Sequence, residues 1–69
     1  MTDAETIAAN IRAHMDGRTQ TYVAARMHVH KSLVGRYCRG EVEPSASNLK
    51  RIALALGCTC DELLEGVGE

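Results

Sequence analysis

Tryptophan and phenylalanine are absent from this 69-residue chain, and only two tyrosines stand in for them. Leu, Ile, Val, Met and Ala must therefore build the core. Without the aromatic and β-branched runs that strands favour, the expected class is all-α. A chain this short makes one small domain that buries roughly 60% of its unfolded surface. No apolar run approaches the roughly 20 residues of a membrane span. No signal-peptide pattern opens the sequence, so a cytoplasmic protein with no membrane partner is expected. The three cysteines (Cys38, Cys58 and Cys60) are odd in number and form no C-x-x-C, which argues against a disulfide framework. Cys58-x-Cys60 also lacks the spacing of common zinc sites, and free cysteine is ordinarily a small buried hydrophobe, so neither metal nor cofactor is expected. There is no Gly-rich phosphate loop, no carboxylate pair in a plausible cleft and no nucleophile–base pair. No catalytic residue is assigned, and the chain is not expected to be an enzyme.

The net charge of −1 argues at first against a nucleic-acid partner. Its distribution reverses that impression. All eight basic residues lie between Arg12 and Arg51, where only Asp16, Glu41 and Glu43 oppose them, so this segment carries +5. The acids otherwise gather at the two ends (Asp3 and Glu5, then Asp61, Glu62, Glu65 and Glu69). Segregation of this kind creates a local positive field that the total conceals.

Five helices are readable in order. Thr2 and Glu5 have capping-box spacing, which predicts a helix from Asp3 whose buried stripe is Ile7, Ala8, Ile11 and Met15, ended by Asp16-Gly17. Thr19 caps a second helix over about Gln20–Met27, with Val23, Ala24 and Met27 on one face. His28 falls in the turn, where φ > 0 is needed and His is one of the few enriched side chains. Val29 can drop into the angle between the helices. The third helix runs from about Lys31 to Arg39, with Val34, Tyr37 and Cys38 on its apolar face and Gly40 as its left-handed C-terminal residue. Lys31, Ser32, Gly35, Arg36 and Arg39 form its polar, basic face. After a loop stiffened by Pro44, Ser45 or Ser47 caps a fourth helix with Leu49, Ile52, Ala53 and Leu56 at i, i+3, i+4 and i+7, stopped by Gly57. Thr59 and Glu62 open a short fifth helix bearing Leu63 and Leu64. The whole, residues 1–69, reads as a single domain, with 1–5 and 66–69 expected to fray.

Thr19-Gln20, Val23-Ala24, Met27, Val29, Val34, Arg39-Gly40, Pro44-Ser45, Leu49, Ile52-Ala53, Ala55-Leu56-Gly57 and Asp61-Glu62-Leu63 stand together in an order that resembles a known family. It is the Cro and phage-repressor type of helix-turn-helix regulator, also called the xenobiotic-response-element family, and the likeness spans roughly residues 7–65. It implies a compact five-helix, phage-repressor-like DNA-binding domain whose second and third helices form the helix-turn-helix. The family commonly pairs an arginine late in helix 1 with a glutamate near the end of helix 3. The matching positions here are read as Met15 and Cys38, both apolar and expected to pack together.

The resemblance also implies a site on double-stranded DNA. The third helix would enter the major groove, with His30, Lys31, Ser32 and Arg36 as base-reading candidates. Thr19, Gln20, Arg39, Gly40, Ser45 and Ser47 would face phosphates, using helix N-termini and their dipoles. Arg12 and Arg18 are expected to be solvated. Gly35 either gives clearance at the DNA or lets helices pack closely. The expected function is sequence-specific control of transcription, as a repressor dimer on a palindromic operator. Leu64 and Val67 are the candidate homodimer surface, and Leu63 is expected in the core. The other reading is a protein-interaction module, antitoxin-like or an accessory factor, that uses the fold as a scaffold.

Overall fold

In the computed structural model, which describes residues 1–69, five helices follow one another with no strand. They are α1 (Asp3–His14), α2 (Gln20–Met27), α3 (Lys31–Cys38), α4 (Ala46–Leu56) and α5 (Cys60–Leu63). No helix is long and apolar enough to cross a membrane.

Each helix starts on a side-chain cap. Thr2 and Glu5 form a capping box, with the Glu5 carboxylate accepting from the Thr2 N–H at 2.8 Å and the Thr2 hydroxyl from the Glu5 N–H at 3.2 Å. Residues expected to fray thus include the first turn of α1, and the Gly68 N–H reaches the Asp3 carboxylate from the other terminus. Thr59 and Glu62 repeat the box at α5. Of the two serines considered for α4, Ser45 is the cap; Ser47 lies inside the first turn.

Asp16 and Gly17 both take positive φ and end α1. His28 adopts the left-handed conformation, at φ 59° and ψ 40°, and its N–H closes α2 on the Ala24 and Ala25 carbonyls. The chain thereby leaves α2 sharply, and Val29 packs on the core from the bend. α2 packs on α3 and α4, α1 on α3 and α5, and α4 on α5.

The apolar stripes meet in one core. Ile11, Val23, Val34, Ile52 and Leu63 are essentially without solvent contact, one from each helix. Met15 departs from the expected stripe: α1 stops at His14, so Met15 is its C-cap and sits partly buried at the edge of the core that contains Cys38. Arg12 also links α1 to the end of α3, its guanidinium donating to the Cys38 carbonyl. Arg12 is exposed, as expected, and in addition forms this polar tie. Arg18 also folds back, reaching the Met15 carbonyl at 3.4 Å.

Two polar contacts fasten the short α5 to α1. The Asn10 amide donates to the Leu63 and Glu65 carbonyls at 2.9 and 2.8 Å. His14 Nε2 stands 3.4 Å from the Glu62 carboxylate while its Nδ1 bonds the Asn10 carbonyl at 2.9 Å. That carbonyl, and then Glu62, raise the His14 pKa above its usual value. A group that binds its proton more tightly when folded stabilises the fold below its unfolded pKa, and the gain is lost as pH rises through the folded value. Chemical denaturation at pH 5.5 and at pH 8.5 should therefore show a larger stability difference in wild type than in His14→Ala, with wild type losing stability toward high pH.

Candidate nucleic-acid interface

The third helix is only eight residues long and both of its ends are tied. At its start His30 is the N-cap, with Nδ1 3.1 Å from the Ser32 N–H and 2.8 Å from the Ser32 hydroxyl. A backbone N–H can only donate, so Nδ1 is the acceptor and the ring proton sits on Nε2. The Ser32 hydroxyl then donates to Nδ1 and turns its lone pairs outward. Two side chains expected to read bases thus form one unit with fixed polarity, an N–H donor on His30 and an acceptor oxygen on Ser32. The cap, an unusual role for His, follows from His30 standing directly before Lys31.

At the other end α3 stops at Cys38, one residue before the expected Arg39, which serves as its C-cap. Gly40 takes φ 74°, its N–H bonds the Tyr37 carbonyl at 3.2 Å, and the Glu41 N–H reaches back to the Arg36 carbonyl at 3.0 Å. This paired closure around a left-handed glycine satisfies the last carbonyls of the helix. A Cβ on Gly40 would lie 3.0 Å from the Glu5 Cα, so the turn is also pressed against α1.

Between these ends Val34, Tyr37 and Cys38 enter the core, and burial pushes the Cys38 thiol pKa up. The Tyr37 hydroxyl accepts from the Asn48 amide at 2.9 Å, and Arg51 donates to the Asn48 oxygen at 2.9 Å, tying α3 to α4. Lys31, Ser32 and Arg36 remain exposed.

Gly35 explains how the second helix joins this face. A Cβ built there would stand 3.0 Å from the Arg39 guanidinium and 3.1 Å from the Gln20 side-chain oxygen. Gln20, from the first turn of α2, and Arg39, from the end of α3, therefore lie together over the bare Gly35 backbone. Thr19 caps α2, its hydroxyl oxygen accepting from the Tyr22 N–H at 3.0 Å, while its own O–H stays free to donate outward. Ser45 does the same at α4, accepting from the Asn48 N–H at 3.2 Å, and Ser47 is exposed within the first turn. The Gln20 and Thr21 N–H groups at the start of α2 have no acceptor within the chain.

Glu41 is the residue that sequence reasoning placed only as a general opponent of the basic patch. Its carboxylate pairs with Arg39 Nε and stands 3.8 Å from Arg36 Nε. The Arg39 guanidinium, then Arg36, hold the Glu41 carboxyl below its usual range. Neither spacing is helical, which is why pattern reading did not find the pairing. Lys31 has no acidic partner.

Of the dimer candidates, Leu64 is partly exposed at 36% and Val67 packs on the edge of the core, whereas Leu63 is fully buried.

Residues 10–63 match the model of the family HTH_3, described as helix-turn-helix. Among solved structures, the chain is similar to the restriction-modification controller protein C.AhdI from Aeromonas hydrophila. The two share 27% identity and superpose with a TM-score of 0.82, over 88% of this chain and 96% of that one. No curated protein sequence matches.

Two substitutions test this geometry. His30→Ala removes the cap and should lower stability by about 1 kcal/mol in urea denaturation, while His30→Asn, which installs a strongly preferred cap, should keep stability at or above wild type. Gly35→Ala should leave stability equal or slightly higher, because helix propensity improves and only flexible side-chain ends must move. It should nevertheless weaken DNA binding by displacing Gln20 and Arg39.

Proposed function

From the premise that this chain belongs to the HTH_3 helix-turn-helix family, and so is a DNA-binding transcription regulator, we propose that it acts as a homodimeric repressor on a palindromic operator. The observation that carries the reading is the shared face of α2 and α3. Gln20 and Arg39 lie side by side over Gly35, with Arg36 and Lys31 exposed on the same helix. Phosphate contacts fix register, and base contacts specify sequence. In this reading Thr19, Gln20 and Arg39 grip one stretch of backbone, and Ser45 and Ser47 at the start of α4 grip the next. Gly40, with its amide committed to Tyr37, shapes the turn after Arg39.

The base-reading set is His30, Lys31, Ser32 and Arg36. Arg36 donates two bonds to guanine O6 and N7, worth about 1–3 kcal/mol against the wrong base. The fixed donor on His30 and acceptor on Ser32 suit an adjacent base pair that offers the opposite pattern. A domain this small covers few base pairs, so a two-fold dimer joined near Leu64 and Val67 supplies the length, with half-sites roughly 34 Å apart. The controller protein similar to this chain is by its name a regulator in a restriction-modification system. That context is consistent with this role.

Selection of bound duplexes from a random library, followed by sequencing, should enrich an inverted repeat, and gel shifts should weaken steeply with salt. Arg36→Ala should relax preference at one position of each half-site and leave the others intact. Enrichment of no sequence at low salt would instead favour the protein-interaction reading.

A further inference from the structure

The pairing of Glu41 with Arg36 of α3 and with Arg39, the C-cap of that helix, has a use that the DNA reading alone does not assign. We propose that Glu41 is a specificity-determining residue: it neutralises Arg36 in the free protein, withholds it from phosphates of the wrong sequence and yields it to a guanine edge. The proposal rests on the DNA-binding reading given above.

Three observations carry it. First, Glu41 is held where it is by the backbone, since its N–H bonds the carbonyl of Arg36, the residue it neutralises, at 3.0 Å. Second, its two carboxylate oxygens are divided between the arginines, and unequally. Oε2 makes the close charge-assisted bond to Arg39, while Oε1 is 3.8 Å from Arg36, beyond hydrogen-bond reach. Arg36 is therefore the partner released first, and its departure leaves Glu41 on Arg39. Third, all three side chains are about half exposed. Exposed pairs add little to fold stability, so structural support is a weak account of this arrangement.

Non-specific affinity comes from cations that displace counterions from phosphates. An arginine already neutralised contributes little to that exchange, and the Glu41 charge itself opposes the approach of a phosphate. Guanine O6 and N7 are neutral acceptors in a fork that matches the guanidinium, so they recruit Arg36 without a like-charge clash with Glu41. The same carboxylate thus weakens binding to every duplex, and only the cognate one offers Arg36 compensation.

The test uses fluorescence anisotropy with two labelled duplexes, the operator enriched by selection and a random-sequence duplex of equal length, over a range of KCl. Glu41→Gln should raise affinity for the random duplex about five- to tenfold and steepen its salt slope by about one to two phosphate equivalents. Affinity for the operator should rise much less, so the ratio of operator to random binding falls at least threefold. Glu41→Asp, which keeps the charge, should retain most of the wild-type ratio, and thermal unfolding of both variants should match wild type. An unchanged ratio and slope in Glu41→Gln would overturn the proposal while leaving the DNA reading intact. Failure of the underlying reading looks different: neither wild type nor variant binds any duplex, and the role of Glu41 falls with it.

Discussion

Isolated helices shorter than about 12–15 residues are marginal in water. The recognition helix has eight, with a glycine in its middle that costs about 1 kcal/mol relative to alanine. It persists because its surroundings supply what its length cannot. His30 closes the first turn, the Gly40–Glu41 turn closes the last, and Arg12 from α1 adds a donor at the Cys38 carbonyl. Val34, Tyr37 and Cys38 then anchor it in the core, with Asn48 fixing the Tyr37 hydroxyl. The other helices hold this one in place, and α5, too short to matter alone, closes the core with Leu63 under the Asn10 clamp.

Periodicity and capping made most of this architecture legible. Apolar residues at helical spacing fixed which faces of α2, α3 and α4 turn inward, and the boxes at Thr2 and Thr59 located helix starts to the residue. The positive φ at His28 was readable because few side chains tolerate that conformation. Contacts made by long polar side chains were not readable. Arg12 meets a backbone carbonyl, which carries no sequence signal, so its tie to the end of α3 was not foreseen. Glu41 lies past the helix end, where the i, i+3 and i, i+4 rules no longer say which side chains meet. His30 was named only as a base-reading candidate; although the helix start at Lys31 was legible, His is not among the side chains that ordinarily cap.

The charge pattern has a similar two-level character. At the level of sequence, acids retreat to the termini and leave a cationic centre. At the level of geometry, one of the few acids left there is set against the two arginines at the end of α3. Glu41 stands against both Arg36 and Arg39, so the net charge exposed at the α3 face is smaller than a count of its cations suggests. Lys31 is the cation of that face with no acid near it. Such a surface is attracted to a polyanion without being committed to it, a condition that sequence discrimination requires.

Gly35 joins the two arguments. Inside an eight-residue helix alanine would strengthen the backbone, yet its methyl group would sit against the ends of both Gln20 and Arg39. Those two side chains come from different helices, and they can lie together only because the residue beneath them has no side chain. Their spacing is therefore set by the angle between α2 and α3, which the left-handed His28 and the buried Val23, Ala24 and Val34 determine. Core packing and the placement of Gln20 against Arg39 are thus fixed by the same contacts, and the local weakness at Gly35 is the condition for coupling them.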